Sequence, residues 1–431
     1  MSSISRIHAR EVLDSRGKPT VQAEVWCGGK LCGSAIVPSG ASTGSAEAFE
    51  LRDGDPNRYD GQGVLSAVAN VRNVLGPELM GLSPSNQFAI DQRLLELDPS
   101  PQKTALGGNA LLAVSLAVAH AGANVRGVPL YRHLADLFAA EAALRGERDL
   151  VRALRMPLPM TNMISGGKHA GGNLDFQDVL VQPIGAPNYA TGLEWIVRIY
   201  RRLAVLLHNS GYESVLVGDE GGFGPRLGSN REAVGFVVQA ITAAGLVPGE
   251  QVTIALDVAS SHFYRQERYW LAAEQGLALT SGELVERLAA WVHDYPIASI
   301  EDGLAEEDWS GWQQLTQRLG PKIRLVGDDL FATNEQRVKH GIALGAANAV
   351  LVKVNQIGTL SETFRTILTA RRAGYTSVVS ARSGETEDST IADLAVAVGA
   401  ESIKIGSIVR SERLAKYNRL LVIEEALQDE T

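Results

Sequence analysis

Short apolar runs without alternation recur through the later part of the chain, and each closes on a polar or charged residue: SVLVGDEGG, TIALDVAS, IASIEDG, IRLVGDDL, AVLVKVNQ, SVVSARSG and SIKIGS. Such runs suit strands of a parallel sheet covered on both faces. Helices are predicted between them, with start signals spaced as capping boxes at Thr280 with Glu283, Thr333 with Gln336 and Thr359 with Glu362. Gly345 and Gly374 follow two of these helices where a left-handed C-cap belongs. Strand, polar tip and helix repeat in series, which predicts an α/β fold built on a β/α barrel. An open doubly wound sheet is the alternative.

The earlier part reads differently. From Ile4 to Pro38 it is β-rich, and TVQAEVWC and KLCGSAIV flank Gly28 and Gly29 as the arms of a hairpin or meander. Helical periodicity takes over near Gly63 to Leu75, Asn86 to Leu97 and Ala105 to Val125. Residues 1–135 are therefore expected to form a smaller α+β domain and residues 145–431 the barrel. Between them, Glu141 to Arg155 is charged and Ala-rich, a helix or an exposed connection.

In a barrel the strand tips share one face, where catalytic groups are held. Those tips are Glu220, Asp257, Glu301, Asp328, Lys353, Arg382 and Lys404. Asp257, Glu301 and Asp328 come from successive tips and would repel one another unless a divalent cation neutralised them. All-oxygen ligation points to magnesium or manganese rather than zinc. Taken singly, each would serve equally as a helix cap or surface group.

Lys353 ends an apolar strand and faces cations, two influences expected to lower its pKa and make it a general base. Glu220 is flanked by glycines, and a second carboxylate nearby would raise its pKa toward that of a general acid. Asp219 beside it suits turn hydrogen bonding. Base and acid on opposite sides of a held carboxylate fit removal of the proton α to it, followed by loss of a β-hydroxyl. PSGASTG, from Pro38 to Gly44, has hydroxyls and amides able to close over an anion, and Arg382 with Ser383 suits phosphate. GGFGPRLG has Pro225 and the wrong spacing for a dinucleotide loop.

Composition narrows the partners. A formal net charge of −9 leaves no basic stripe for a nucleic acid backbone, so a small anionic acid gripped by local cations is expected. Apolar residues at 45% and charged residues at 21% give ample core and no compositional sign of disorder. Cys27 and Cys32 lack the further ligands of a zinc site and read as reduced core thiols. The start lacks an apolar signal segment, and Ala110 to Ala123, interrupted by Ser115 and His120, suits a buried helix better than a membrane span. No membrane is expected, and a cytoplasmic location.

Long motifs then converge on one family. DSRGKPTV, VPSGASTG, GDEGGF, SIEDGL, VGDDLFATN, KVNQIGTL, SGETEDSTIADLAVA and RSERLAKYNRLL resemble those of enolases over nearly the whole chain. The resemblance implies an N-terminal α+β domain on a modified β/α barrel, a homodimer or higher homo-oligomer, and interconversion of 2-phosphoglycerate with phosphoenolpyruvate. It implies two magnesium ions, the second arriving with substrate. By position, Asp257, Glu301 and Asp328 match the ligands of the first ion, and Ser42 matches the loop serine that helps hold the second. Lys353 matches the base, Glu220 the acid, and Lys404 the lysine that binds the substrate carboxylate. Arg382 and Ser383 match the phosphate binders, and His169 with Gly166 and Gly167 matches the mobile-loop histidine.

Four positions depart from the pattern. Ala381 stands where the family has histidine, Asp178 replaces the glutamate paired with the acid, Ser165 replaces the asparagine of the NGG loop, and Ile405 replaces threonine after Lys404. A working enolase is expected to have Asp178 reach Glu220 through water. A diverged relative would act on a phosphonate-related acid, as carboxyphosphonoenolpyruvate synthase does, with Ala381 giving room for the added carboxyl group. A catalytically silent binding protein is the third reading, opposed by the retained lysine and carboxylates.

Overall fold

The computed structural model describes residues 3–41 and 44–429, so Ser42 lies outside the described residues. Strands β1 (Ile4–Leu13), β2 (Pro19–Cys27) and β3 (Lys30–Ile36) form an antiparallel sheet in that order. Gly28 and Gly29 turn the β2–β3 hairpin with φ of 56° and 80°, a left-handed pair that glycine adopts without strain. The helix Gly108–Arg126 packs on this sheet so closely that a Cβ on Gly33 would lie 2.2 Å from the Ala117 carbonyl oxygen. By length and composition this helix is apolar enough to cross a membrane, yet 83% of its most apolar window is buried inside the protein. It is a core helix.

The second sheet closes into an eight-stranded barrel. Its strands are β4 (Leu158–Ser165), β5 (Asp178–Gln182), β6 (Thr253–Asp257), β10 (Ile297–Glu301), β11 (Arg324–Gly327), β12 (Ala349–Val352), β13 (Thr376–Ser380) and β14 (Ser402–Gly406), in that order around the ring. A small antiparallel sheet of β7 (Tyr264–Arg265), β8 (Arg268–Leu271) and β9 (Leu277–Leu279) is inserted after β6. The closed ring excludes the open doubly wound alternative. Only β5 runs against both neighbours, β4 and β6.

Strand periodicity positions the site. Met160, Leu180, Ala255, Val326, Ala349, Leu351 and Val378 fill the barrel interior as one apolar cluster. Side chains two residues apart share a strand face. Two residues beyond this plug, at the carboxyl end of the parallel strands, come Asp257, Asp328, Lys353 and Ser380, and on β4 Asn162. Because β5 is antiparallel, it reaches the same end two residues before Leu180, with Asp178. Glu301 joins them as the register partner of Asp257.

Two sequence expectations fail here. SVLVGDEGG is not a strand: Val215 and Leu216 are 79% and 69% exposed, and Glu220 sits on a loop. The run folds back on itself, with Val217 bridging Phe223 and Phe223 bridging Ile164, and so does not join the barrel as a strand. The helix Glu335–Leu344 is capped by Asn334, whose side chain accepts from the amides of Gln336 and Arg337, and not by Thr333. The Thr333 hydroxyl is engaged instead with Gln356. Thr280 with Glu283 does form a full capping box, and Gly345 ends its helix at φ 70°.

Candidate active site

Two buried lysines hold the expected metal-ligand carboxylates. Lys404 Nζ donates to Asp257 Oδ2 at 2.7 Å and to both oxygens of Glu301 at 2.8 and 2.9 Å. Lys353 Nζ donates to Asp328 Oδ2 at 2.5 Å. Gln177 Nε2 adds a 3.1 Å bond to Asp257, and Gln356 Nε2 a 2.9 Å bond to Asp328 Oδ1.

The electrostatics reverse one expectation. Burial opposes the Lys353 ammonium, but Asp328 outweighs it and the pKa rises above the usual lysine value. Burial likewise opposes the charged forms of Asp257 and Asp328, and the lysines facing them still hold both below the ordinary range. Glu301 is pushed well above it, by burial first and Asp257 next.

The donor set fits a divalent cation. Three buried carboxylates with oxygen donors alone stand around the charge of two ammoniums, the compensation a hard dication would provide. Asp328 also lies within ligating distance of Asp302 and Asp329. The Asp302 oxygens are already taken, accepting from the backbone amides of Asp328 at 2.8 Å and Asp329 at 2.9 Å. Asp302 thus fixes the loop that carries Asp328.

On the other side, His169 stands between two carboxylates. Its Nδ1 is 3.1 Å from Asp178 Oδ2 and its Nε2 is 3.9 Å from Glu220 Oε1. The imidazole thus lies between Asp178, which it bonds, and Glu220, which it faces at ion-pair distance. Glu220 was expected to be raised and is lowered: burial works against its charge, yet His169, Arg413, Lys404 and Lys353 bring it to about 2. Asp178 takes the upward shift, pushed by burial to about 6 despite His169. Burial opposes the His169 imidazolium, and Asp178 and Glu220 still raise its pKa. Together the three hold a proton on the His169–Asp178 side.

Glycines make this approach feasible. A Cβ on Gly166 would lie 2.3 Å from the Phe176 carbonyl oxygen, and one on Gly218 2.5 Å from that of His169. The first lets the His169 loop fold back on itself, and the second lets the Glu220 loop dock against it.

The third corner is built for an anion. Arg382 Nη1 and Nη2 donate to Glu47 Oε2 and Oε1 at 3.0 and 3.2 Å, and Nη1 also to Asn355 Oδ1 at 2.8 Å. Ser383 Oγ accepts from the Ala41 amide at 2.7 Å and from Arg16 at 3.2 Å, tying the barrel to the 38–44 loop. Behind them, buried Arg413 donates to the carbonyls of Arg382, Ser383 and Ile405. A cavity of about 20 Å³ is lined by His169, Glu220, Lys353, Ala381, Arg382 and Lys404, among others. That volume holds little more than a water. A substrate must therefore displace the ion pairs that fill the site.

Matches to family models cover almost all of the chain. Residues 4–134 match the enolase N-terminal domain, and residues 153–431 match the enolase C-terminal TIM barrel domain. The chain belongs to the enolase family. It is an enolase-type lyase or a diverged relative of one.

Three of the four departures from the enolase pattern touch this site, and two are bonded together. Asp178 Oδ1 accepts from Ser165 Oγ at 3.3 Å and, at very short range, from Asn162 Nδ2, which also donates to Ser165 Oγ at 2.9 Å. Ala381 lines the cavity, whereas Ile405 is fully buried in the apolar core. Sequence reasoning missed Glu47, Asn162, Gln177 and Gln356. Asn162 had a signal, lying two residues after Met160, but only once β4 is recognised as a strand. Glu47 becomes visible only when the two domains are docked, and Gln356 only when the turn after β12 is folded against Asp328.

Proposed function

We propose that this enolase-family protein interconverts 2-phosphoglycerate and phosphoenolpyruvate with magnesium. In this reading residues 1–135 cap a catalytic barrel of residues 145–431, in a cytoplasmic homodimer or higher homo-oligomer. The observation that carries it is the pairing of Lys353 and Lys404 with Asp328, Asp257 and Glu301, across one small cavity from His169 and Glu220.

When bound, magnesium supplies the positive charge that neutralises these carboxylates and stabilises the charge growing on the substrate carboxylate. Asp257, Glu301 and Asp328 would hold the first ion, and Ser42 would help hold the second. Lys404 binds the substrate carboxylate. Lys353, once released from Asp328, keeps burial, Arg382 and Lys404, which favour the neutral amine, against Glu301, whose charge the same ion would offset. It then removes the proton α to the carboxylate. Arg382 exchanges Glu47 for the substrate phosphate, fork to fork, with Ser383 beside it. Glu220 passes to the β-hydroxyl a proton drawn from the His169–Asp178 side, and the hydroxyl leaves as water.

A second reading is favoured by Ala381 and by the bonded pair Ser165 and Asp178. Here the same base and acid act on a phosphonate-related acid whose additional carboxyl group uses the space beside Ala381, as in carboxyphosphonoenolpyruvate synthase. The test is phosphoenolpyruvate formation from 2-phosphoglycerate with magnesium and with chelator, in wild type and Lys353→Ala. Turnover that needs both the metal and Lys353 supports the first reading. No turnover by fully metal-loaded wild type overturns it.

A further inference from the structure

The opposite end of the barrel carries a concentration of positive charge that the proposed chemistry does not use. Arg324 opens β11 at the amino-terminal mouth, facing inward two residues before Val326 of the apolar plug. Its guanidinium donates to Ser402 Oγ at 2.8 Å and reaches Gln182 Oε1 at 3.5 Å, both neutral. Among the described residues no carboxylate pairs with it. Burial, and Arg155 after it, lower its pKa.

Arg155 and Arg324 line one cavity of about 390 Å³ beneath the barrel, with Glu401 and Leu158. Arg152 and Arg371 stand close by: Arg152 bonds Glu401, and buried Arg371 donates to the carbonyls of Leu150, Val398 and Gly399. Glu401 is the one carboxylate among the described residues that pairs with any of these four guanidiniums, bonding Arg152 directly and lying 3.7 Å from Arg155. Its other oxygen is taken by the amide and hydroxyl of Ser377.

Polar atoms in the same mouth lack partners. Gln182 Nε2, Thr253 Oγ1 and Thr376 Oγ1 are buried without a hydrogen bond, on the terminal residues of β5, β6 and β13 at this end. Gln182 is fully buried. Four guanidiniums near one carboxylate leave this end of the barrel short of negative charge, although each donates to neutral oxygens or to Glu401. The buried polar atoms without partners cost free energy that a ligand engaging them would recover.

We propose that the amino-terminal mouth of the barrel binds a small phosphorylated molecule, its phosphate held by Arg324 and Arg155 and its remainder in the cavity under Leu158. Arginine forks suit phosphate oxygens, and the cavity exceeds a bare phosphate. Arg152 precedes and Arg155 falls within the start of the C-terminal match, which opens at residue 153, so occupancy would brace the point where the connection enters the barrel.

The test is calorimetric titration with inorganic phosphate and with glycerol 3-phosphate, in a background of Arg382→Gln that removes the active-site phosphate grip. Both ligands are expected to bind, the ester at least as tightly as the free ion. Arg324→Gln and, separately, Arg155→Gln should each weaken binding about tenfold or more, the cost of a lost charged hydrogen bond. Arg155 is partly exposed, so its variant stays informative if Arg324→Gln fails to fold. Binding unchanged in Arg155→Gln, no binding in the Arg382→Gln background, or free phosphate held while the ester is refused would each overturn the proposal.

Discussion

Lys353 and Asp328 form a buried ion pair with Nζ and Oδ2 2.5 Å apart, and this contact keeps the candidate base protonated. In this arrangement the base is locked. Any ligand that draws the Asp328 charge away removes the largest influence holding the proton on Lys353, so on the proposed reading metal loading would also release the base.

Magnesium is therefore expected to stabilise the fold. Binding only to the native state adds about 2.7 kcal/mol when the free ion is 100-fold above its Kd. The melting temperature should rise by several degrees over millimolar magnesium in wild type and stay flat in Asp257→Ala. A flat wild-type curve would refute the metal assignment.

Lys353→Ala should lose exchange of the C2 proton of 2-phosphoglycerate with solvent, by about 10²–10⁴ or more, while magnesium still raises the melting temperature. Proton exchange followed by NMR in deuterium oxide is the measurement. Exchange at the wild-type rate would reassign the base.

Glu220 gives a pH signature with a definite sign. Its folded pKa of about 2 lies below the ordinary 4.5, so it contributes stability above pH 4.5 that is lost as pH falls toward 2. The shift is worth on the order of 3 kcal/mol. Denaturant melts should find Glu220→Gln less stable than wild type by an amount of that order at pH 6, with the gap closing through pH 4 to 3. A gap independent of pH would show that the carboxylate is not held ionised.

The double variant Ala381→His with Asp178→Glu decides between the two substrate readings. If wild type is diverged, kcat/KM for phosphoenolpyruvate formation should rise about 10²-fold or more on restoring both groups. If wild type already reaches about 10⁴ M⁻¹s⁻¹ and the variant gains nothing, the protein works as an ordinary enolase.

Much of the barrel was legible because six apolar runs ended in the residue that matters. Parallel strands place their last side chain at the catalytic face, so TIALD, IASIE and AVLVK announced Asp257, Glu301 and Lys353. β5 escaped because an antiparallel strand puts its catalytic-face residue first: DVLVQ begins with Asp178. β4, LPMTNMIS, hid behind a proline and polar residues that are buried only because the barrel closes over them. The pKa of Lys353 goes the other way from expectation because Asp328, at the tip of the neighbouring strand, forms a direct ion pair with it, a contact that the strand order alone does not give.

The same reversed strand has a wider consequence. One β4–β5 hairpin, residues 162–178, contributes Asn162, Ser165, His169 and Asp178, whereas the base and the metal-ligand carboxylates each arrive on separate strands. The groups flanking the candidate acid thus come from one contiguous stretch, whereas Glu220 itself sits on a separate loop and the candidate base at the end of a separate strand. Exchanging this stretch between relatives would replace the partners that set the charge on Glu220 while leaving Glu220, Lys353 and the three carboxylates in place.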